Sequence, residues 1–144
     1  MKEEVMKMSV QWNYGVKIGL QKESLPGETR WAELPAYIFE GNISLPALPP
    51  KGMKISMPDA GPQGAEIVDV YVDVDGEGRF GYRMIVSSSL AFVESTIDDL
   101  VTSLESILSV DFNMLRTCGF HLPSHGLFDR QTLFVIVEDN FKQS

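Results

Sequence analysis

One cysteine, Cys118, occurs in 144 residues, so no disulfide can close within the chain, and a reducing cytoplasm is the expected compartment. Basic residues are scarce: 12 Lys and Arg stand against 20 Asp and Glu, a net charge of −8. Lys2, Lys7, Lys17, Lys22, Lys51 and Lys54 are scattered and form no stripe, which argues against a nucleic-acid partner. Long apolar runs are missing too. The longest aliphatic run, positions 133–137, is far too short to span a bilayer, and positions 1–10 lack the apolar centre of a signal peptide. The expectation is a soluble cytoplasmic protein without a membrane partner.

Apolar residues make up 44% and charged residues 22% of the chain, an ordinary globular balance that excludes wholesale disorder. The length fits a single domain over 1–144, with 1–9 and 140–144 expected to fray. No repeat or low-complexity tract divides it.

The clearest local pattern lies between positions 66 and 88. Val68, Val70, Val72 and Val74 alternate with Asp69, Tyr71, Asp73 and Asp75, the two-residue period of a half-buried strand. After Gly76, Glu77 and Gly78 the alternation resumes as Phe80, Tyr82, Met84 and Val86. A three-residue hairpin loop takes a positive-φ residue where Gly78 falls, a register that sets Val74 against Phe80, Val72 against Tyr82 and Val70 against Met84. The other face carries Asp69, Tyr71, Asp73, Asp75 and Arg83, and is expected to meet solvent or a partner. Asp75 lies opposite Arg79 there, and Asp69 and Asp73 come within diagonal reach of Arg83 and Arg79.

Upstream, Val10, Trp12, Tyr14, Val16, Ile18 and Leu20 alternate with small or polar residues, predicting a long amphipathic strand. With its bland polar face, this strand is a plausible sheet edge that pairs with its copy across a twofold axis. A second extended region runs over 31–45 with a turn or bulge at Gly41-Asn42, and Met53, Ile55 and Met57 suggest a short strand. From Leu90 the period changes to three and four: Val93, Ile97, Leu100, Val101, Leu104, Ile107 and Leu108 predict an amphipathic helix over about 94–109. Ser95 with Asp98, or Thr96 with Asp99, would cap it. Ser87, Ser88 and Ser89 read as the junction before it. Positions 111–130 read as an ordered loop with a helical turn at 112–117. Positions 132–138, apolar on both faces, read as a closing central strand. The predicted fold is α+β: an antiparallel, meander-like sheet of about five to six strands with one helix packed on one face.

Candidate chemistry is sparse. Cys118, His121 and His125 follow one another at metal-ligand spacing, and Asp129 or Asp111 could complete a zinc tetrahedron. Structural zinc sites more often join two separated ligand pairs, and the competing reading is a buried small thiol with locally bonded histidines. A cysteine–histidine nucleophilic pair within one loop would rarely hold reaction geometry. The glycine-rich stretch 76–81 leads from strand to strand, whereas a dinucleotide site must lead into a helix. Asp73, Asp75 and Glu77 match the first places of a calcium loop, but Met84 stands where a bidentate Glu is needed. Positions 46–51 have polyproline-ligand spacing inside a folded region, where proline simply ends a strand. Trp12 and Trp31 suit core or interface anchoring. No catalytic set emerges. The expected function is therefore a non-enzymatic interaction or adaptor protein that self-associates. A metal-binding protein or metal-dependent enzyme using Cys118, His121 and His125 is the alternative. A second alternative is an acidic inhibitor or decoy that presents Asp69, Asp73, Asp75 and Glu77 to a basic partner.

Overall fold

The structure, a computed structural model, describes residues 6–21, 28–56, 62, 64–122 and 129–142. Five strands, β1 Met6–Gln21, β2 Thr29–Leu45, β3 Lys54–Ile55, β4 Ala65–Val74 and β5 Phe80–Glu94, precede two helices, α1 Ile97–Thr117 and α2 Arg130–Lys142. The strands form one sheet in the order β2-β1-β5-β4-β3. β1 pairs antiparallel with β2 and β4 antiparallel with β5, but β1 and β5 run parallel over Met8–Leu20 and Tyr82–Glu94. The sheet is thus mixed, and not the expected antiparallel meander. The reason is topological: two hairpins lie side by side, and the connection from β2 to β3 crosses from one edge of the sheet to the other. β1 is consequently central, so it cannot be the expected edge. The edges belong to β2 and, beyond the two-residue β3, to β4.

The hairpin register is the expected one: Val70 faces Met84, Val72 faces Tyr82 and Val74 faces Phe80. Gly78 adopts φ 78° in the turn, where a side chain would be strained. Two details differ. A bulge between Ile67 and Asp69 removes Val68 from the apolar stripe and puts Ile67 on it, opposite Val86. The helices also cover only the inner part of this stripe. Met84 and Val86 are buried, whereas Val72, Val74 and Phe80 stand in solvent, with Phe80 79% exposed. At about 3.3 Å per residue a 15-residue strand outreaches a 21-residue helix at about 1.5 Å per residue, so the hairpin tip projects past its roof.

α1 starts where Thr96 accepts a hydrogen bond from the Asp99 amide at 3.0 Å, which decides between the two candidate caps. Ser87–Ser89 lie inside β5, because pairing with Asn13–Gly15 extends that strand to Glu94. The helix continues through Asp111 to Thr117 and absorbs the expected loop start. It ends in a Schellman turn: Gly119, at φ 95°, donates to Arg116 O, and Phe120 donates to Leu115 O.

Positions 132–138 form helix, not the expected strand. A short run apolar on every side does not reveal its period. In α2 the buried residues are Leu133, Val137 and Phe141, four apart, while Val135 is 54% exposed. Asp129 caps this helix by accepting from the Thr132 amide at 3.0 Å and the Thr132 hydroxyl at 3.0 Å.

Both helices pack on one face of the sheet. Met8, Val10, Trp12, Tyr14, Val16 and Ile18 of β1 meet Leu100, Leu104, Leu108, Phe112 and Leu115 of α1 and the apolar row of α2. Phe112 is the hub, edge-on to Tyr14, Tyr37 and Phe39 at 4.8–5.4 Å between ring centroids. Gly41 marks neither turn nor bulge. It lies within β2, and a Cβ there would come 2.6 Å from the Phe120 ring and 2.8 Å from the Gly119 carbonyl. The irregularity in β2 falls instead at Pro35 and Ala36, between the Tyr14–Tyr37 and Val16–Leu34 pairs. Among the described residues, no helix is long and apolar enough to cross a membrane.

Candidate functional site

Among the described residues, no helix lies over the second face of the sheet. Strand alternation sends Lys7, Ser9, Gln11, Asn13, Gly15, Lys17 and Gly19 of β1 to that side, since Met8 through Ile18 point into the core. Neighbouring strands add Trp31, Glu33, Glu40 and Asn42 from β2, Arg83, Ile85, Ser87 and Ser89 from β5, and Asp69, Tyr71 and Asp73 from β4. One end is apolar. Trp31 and Val93 close over Gly19, where a Cβ would meet both at 2.9–3.1 Å, and Lys17 rests on the Trp31 ring at 5.0 Å.

The other end holds a trough of about 510 Å³, bordered by Ser9, Glu40, Asn42, Arg83 and His121. Register explains it. Tyr71, Arg83, Ser9 and Asn42 stand in one row across four strands, and the small Ser9 in the middle leaves a depression between longer neighbours. Arg83 does not pair with Asp69 or Asp73 as expected, and among the described residues it makes no ion pair. Its Nη2 donates to Gln11 Oε1 at 3.1 Å, and Gln11 Nε2 donates in turn to Asn13 Oδ1 at 3.1 Å. Its Nε–H is enclosed and finds no acceptor. At the trough rim, the His121 and Glu40 backbones exchange two hydrogen bonds of 2.7 and 2.8 Å along the outer edge of β2. Ser9, Gln11, Asn42 and Glu40 carry no local sequence signal of a site, because the crossover that makes their strands neighbours is a long-range feature.

The acidic hairpin tip is solvated. Asp75 accepts from the Glu77 and Arg79 amides at 2.8 and 2.9 Å, and these bonds hold its carboxyl below the usual range. Arg79 pairs with Asp75 at 3.2 Å and also with Glu77. Asp69, Tyr71 and Asp73 stand exposed beside it, so the structure brings the sequence-selected partner residues onto one surface with Arg83.

Of the metal set, His125 lies outside the described residues. Cys118 is an exposed thiol at the end of α1, and His121 follows it on the edge of β2. The two candidate fourth ligands are engaged elsewhere: Asp129 caps α2, and Asp111 is buried against Tyr14. Among the described residues, no three His, Cys, Asp or Glu side chains gather as metal ligands do.

Two polar contacts lie inside the core. Trp12 Nε1 donates to Ser88 Oγ at 2.8 Å, and the Tyr14 hydroxyl donates to Asp111 Oδ2. Burial pushes the Asp111 carboxyl above its ordinary pKa, opposed by the Tyr14 bond. Burial first, and the Asp111 bond second, push the Tyr14 hydroxyl up. These groups tie β1 to α1 and β5 beneath the helices, away from the open face.

Comparison with known proteins gives no relative: no family model matches the chain, and neither a curated protein nor a solved structure is significantly similar to it.

Proposed function

We propose that this chain is a small non-enzymatic interaction protein that holds a protein partner against the open face of its sheet. The observation that carries the reading is that face itself. Three strands of 15–17 residues present exposed and half-buried side chains to it, with an apolar end at Trp31, a polar trough at the other, and no layer above among the described residues. A broad mixed surface with a small number of fixed polar groups suits protein docking. A reducing cytoplasm fits the single exposed thiol of Cys118.

Capture from native lysate tests the reading. A Ser89→Trp variant adds bulk on the open face, and Ser109→Trp adds the same bulk on the exposed side of α1. A bound protein lost with the first variant and retained with the second is the expected result. Retention with Ser89→Trp overturns it.

Self-association is part of the proposal, through β2. That strand is 17 residues long, and among the described residues its outer edge is met only at Glu40. Such an edge is a template for a second copy. A strictly monomeric mass by light scattering at high concentration removes this part.

A further inference from the structure

Charge on the two central strands of the open face is arranged against the sign of the whole molecule. The chain carries −8, yet β1 contains no Asp or Glu, and β5 contains one, Glu94 at its end. Lys7 and Lys17 of β1 and Arg83 of β5 face the open side, while the acids of that side, Glu33, Glu40, Glu66, Asp69 and Asp73, sit on the flanking strands. A cationic spine therefore runs between two acidic margins.

Arg83 is the unusual member. Its guanidinium is half out of water, pinned by Gln11 at 3.1 Å, has no carboxylate partner among the described residues, and encloses an unsatisfied Nε–H. A partly desolvated charge without a counter-charge is unfavourable until one arrives. The planar guanidinium favours a carboxylate, which it can bind through two parallel hydrogen bonds. Across the trough, Ser9 and Asn42 add a hydroxyl and an amide donor on the same row, and Lys7 adds charge one step along β1.

We infer that the trough receives a carboxylate side chain from an extended acidic segment of the protein partner, with Arg83 as its anchor. This rests on the proposal that the open face is the docking surface. A peptide fits better than a free small carboxylate for two reasons. Glu40 borders the trough and repels an anion that has no further contacts. The spine from Lys7 to Lys17 also spans about 33 Å, the length of roughly ten extended residues.

The test uses the full chain labelled with nitrogen-15 and titrated with synthetic peptides of about that length. One peptide alternates Thr with Glu, one Thr with Lys, one Thr with Gln; glutarate serves as a free carboxylate. The Glu peptide is expected to shift amides around Ser9, Gln11 and Arg83 and to bind at least about tenfold more tightly than the other two, with affinity falling as salt rises. Arg83→Gln should weaken it about tenfold or more, and Arg83→Lys should fall between, since charge survives but the fork does not. Lys7→Gln gives a second, milder loss that does not disturb the Gln11 bond.

Equal binding by wild type and Arg83→Gln overturns the inference, as does binding by no peptide. If the Lys or Gln peptide occupies the same amides as tightly, the acidic partner is wrong while the docking face stands. Glutarate matching the Glu peptide makes this a small-anion site and overturns the peptide source. Shifts of these amides with protein concentration alone make a second copy the occupant and also overturn it. The Ser89→Trp capture judges the docking face separately.

Discussion

Replacing Tyr14 by Phe probes the buried polar contact that joins β1 to α1. Tyr14 is 1% and Asp111 9% exposed, and they join β1 to α1 across 97 residues of sequence. Phe fills nearly the same space, so the change removes one hydroxyl donor and leaves a buried carboxylate without it. A hydrogen bond to a charged group contributes about 1.5–3 kcal/mol net. For a chain of this length, that loss lowers Tm by roughly 5–10 °C. The pH dependence supplies a second readout. Burial raises the folded-state pKa of Asp111 above its unfolded value, so folding favours the protonated form. The stability tied to this group is therefore complete below the unfolded pKa and lost as pH rises through the folded one. Without the Tyr14 donor, which opposes the rise, the folded pKa moves higher still, and the deficit of Tyr14→Phe should grow between about pH 4 and pH 7. Asp111→Asn keeps an acceptor but cannot ionise, so it should gain on the wild type over the same interval. Thermal melts of the variants and the double variant, followed by circular dichroism across that range, make the measurement. A Tyr14→Phe deficit that is pH-independent, or below about 0.5 kcal/mol, refutes the reasoning.

Gly41→Ala and Gly119→Ala separate two reasons for glycine. The first forces a Cβ against the Phe120 ring and the Gly119 carbonyl and should cost about 1–3 kcal/mol with a change in tryptophan fluorescence, because Phe120 packs edge-on to Trp12. The second meets no atom within 4 Å and should cost only the positive-φ penalty, about 1 kcal/mol, with fluorescence unchanged. Thr96→Ala removes the α1 cap and should cost about 1 kcal/mol by chemical denaturation, recovered largely by Thr96→Ser. Phe80→Ser, at a site 79% exposed, should leave stability within about 0.5 kcal/mol, whereas Phe112→Ala should lose about 3–5 kcal/mol.

Much of the site was half-legible. Arg83 stood out on the polar side of the hairpin, but local spacing assigned it to Asp69 and Asp73. Its actual partner, Gln11, comes from a strand 72 residues away. The length of α1 was hidden by Asp111, a charge on an otherwise apolar stripe, which makes sense only once Tyr14 is seen to hold it. The hairpin tip reads as a dry stripe in sequence because hydropathy records which face a residue takes, not whether anything lies above it.

By itself the sequence determined what depends on neighbours along the chain: the alternation of β1, β4 and β5, the hairpin register set by the Gly78 turn, and the apolar row of α1 with its cap narrowed to Ser95 or Thr96. Tertiary structure alone decided that β1 is central and parallel to β5, that 130–142 coils, and that Ser9, Arg83 and Asn42 share one row. The physical reason is range. Turn chemistry and side-chain period act over a few residues, whereas strand adjacency, the conformation of an evenly apolar run and the cover on a face follow from what the rest of the chain brings beside them.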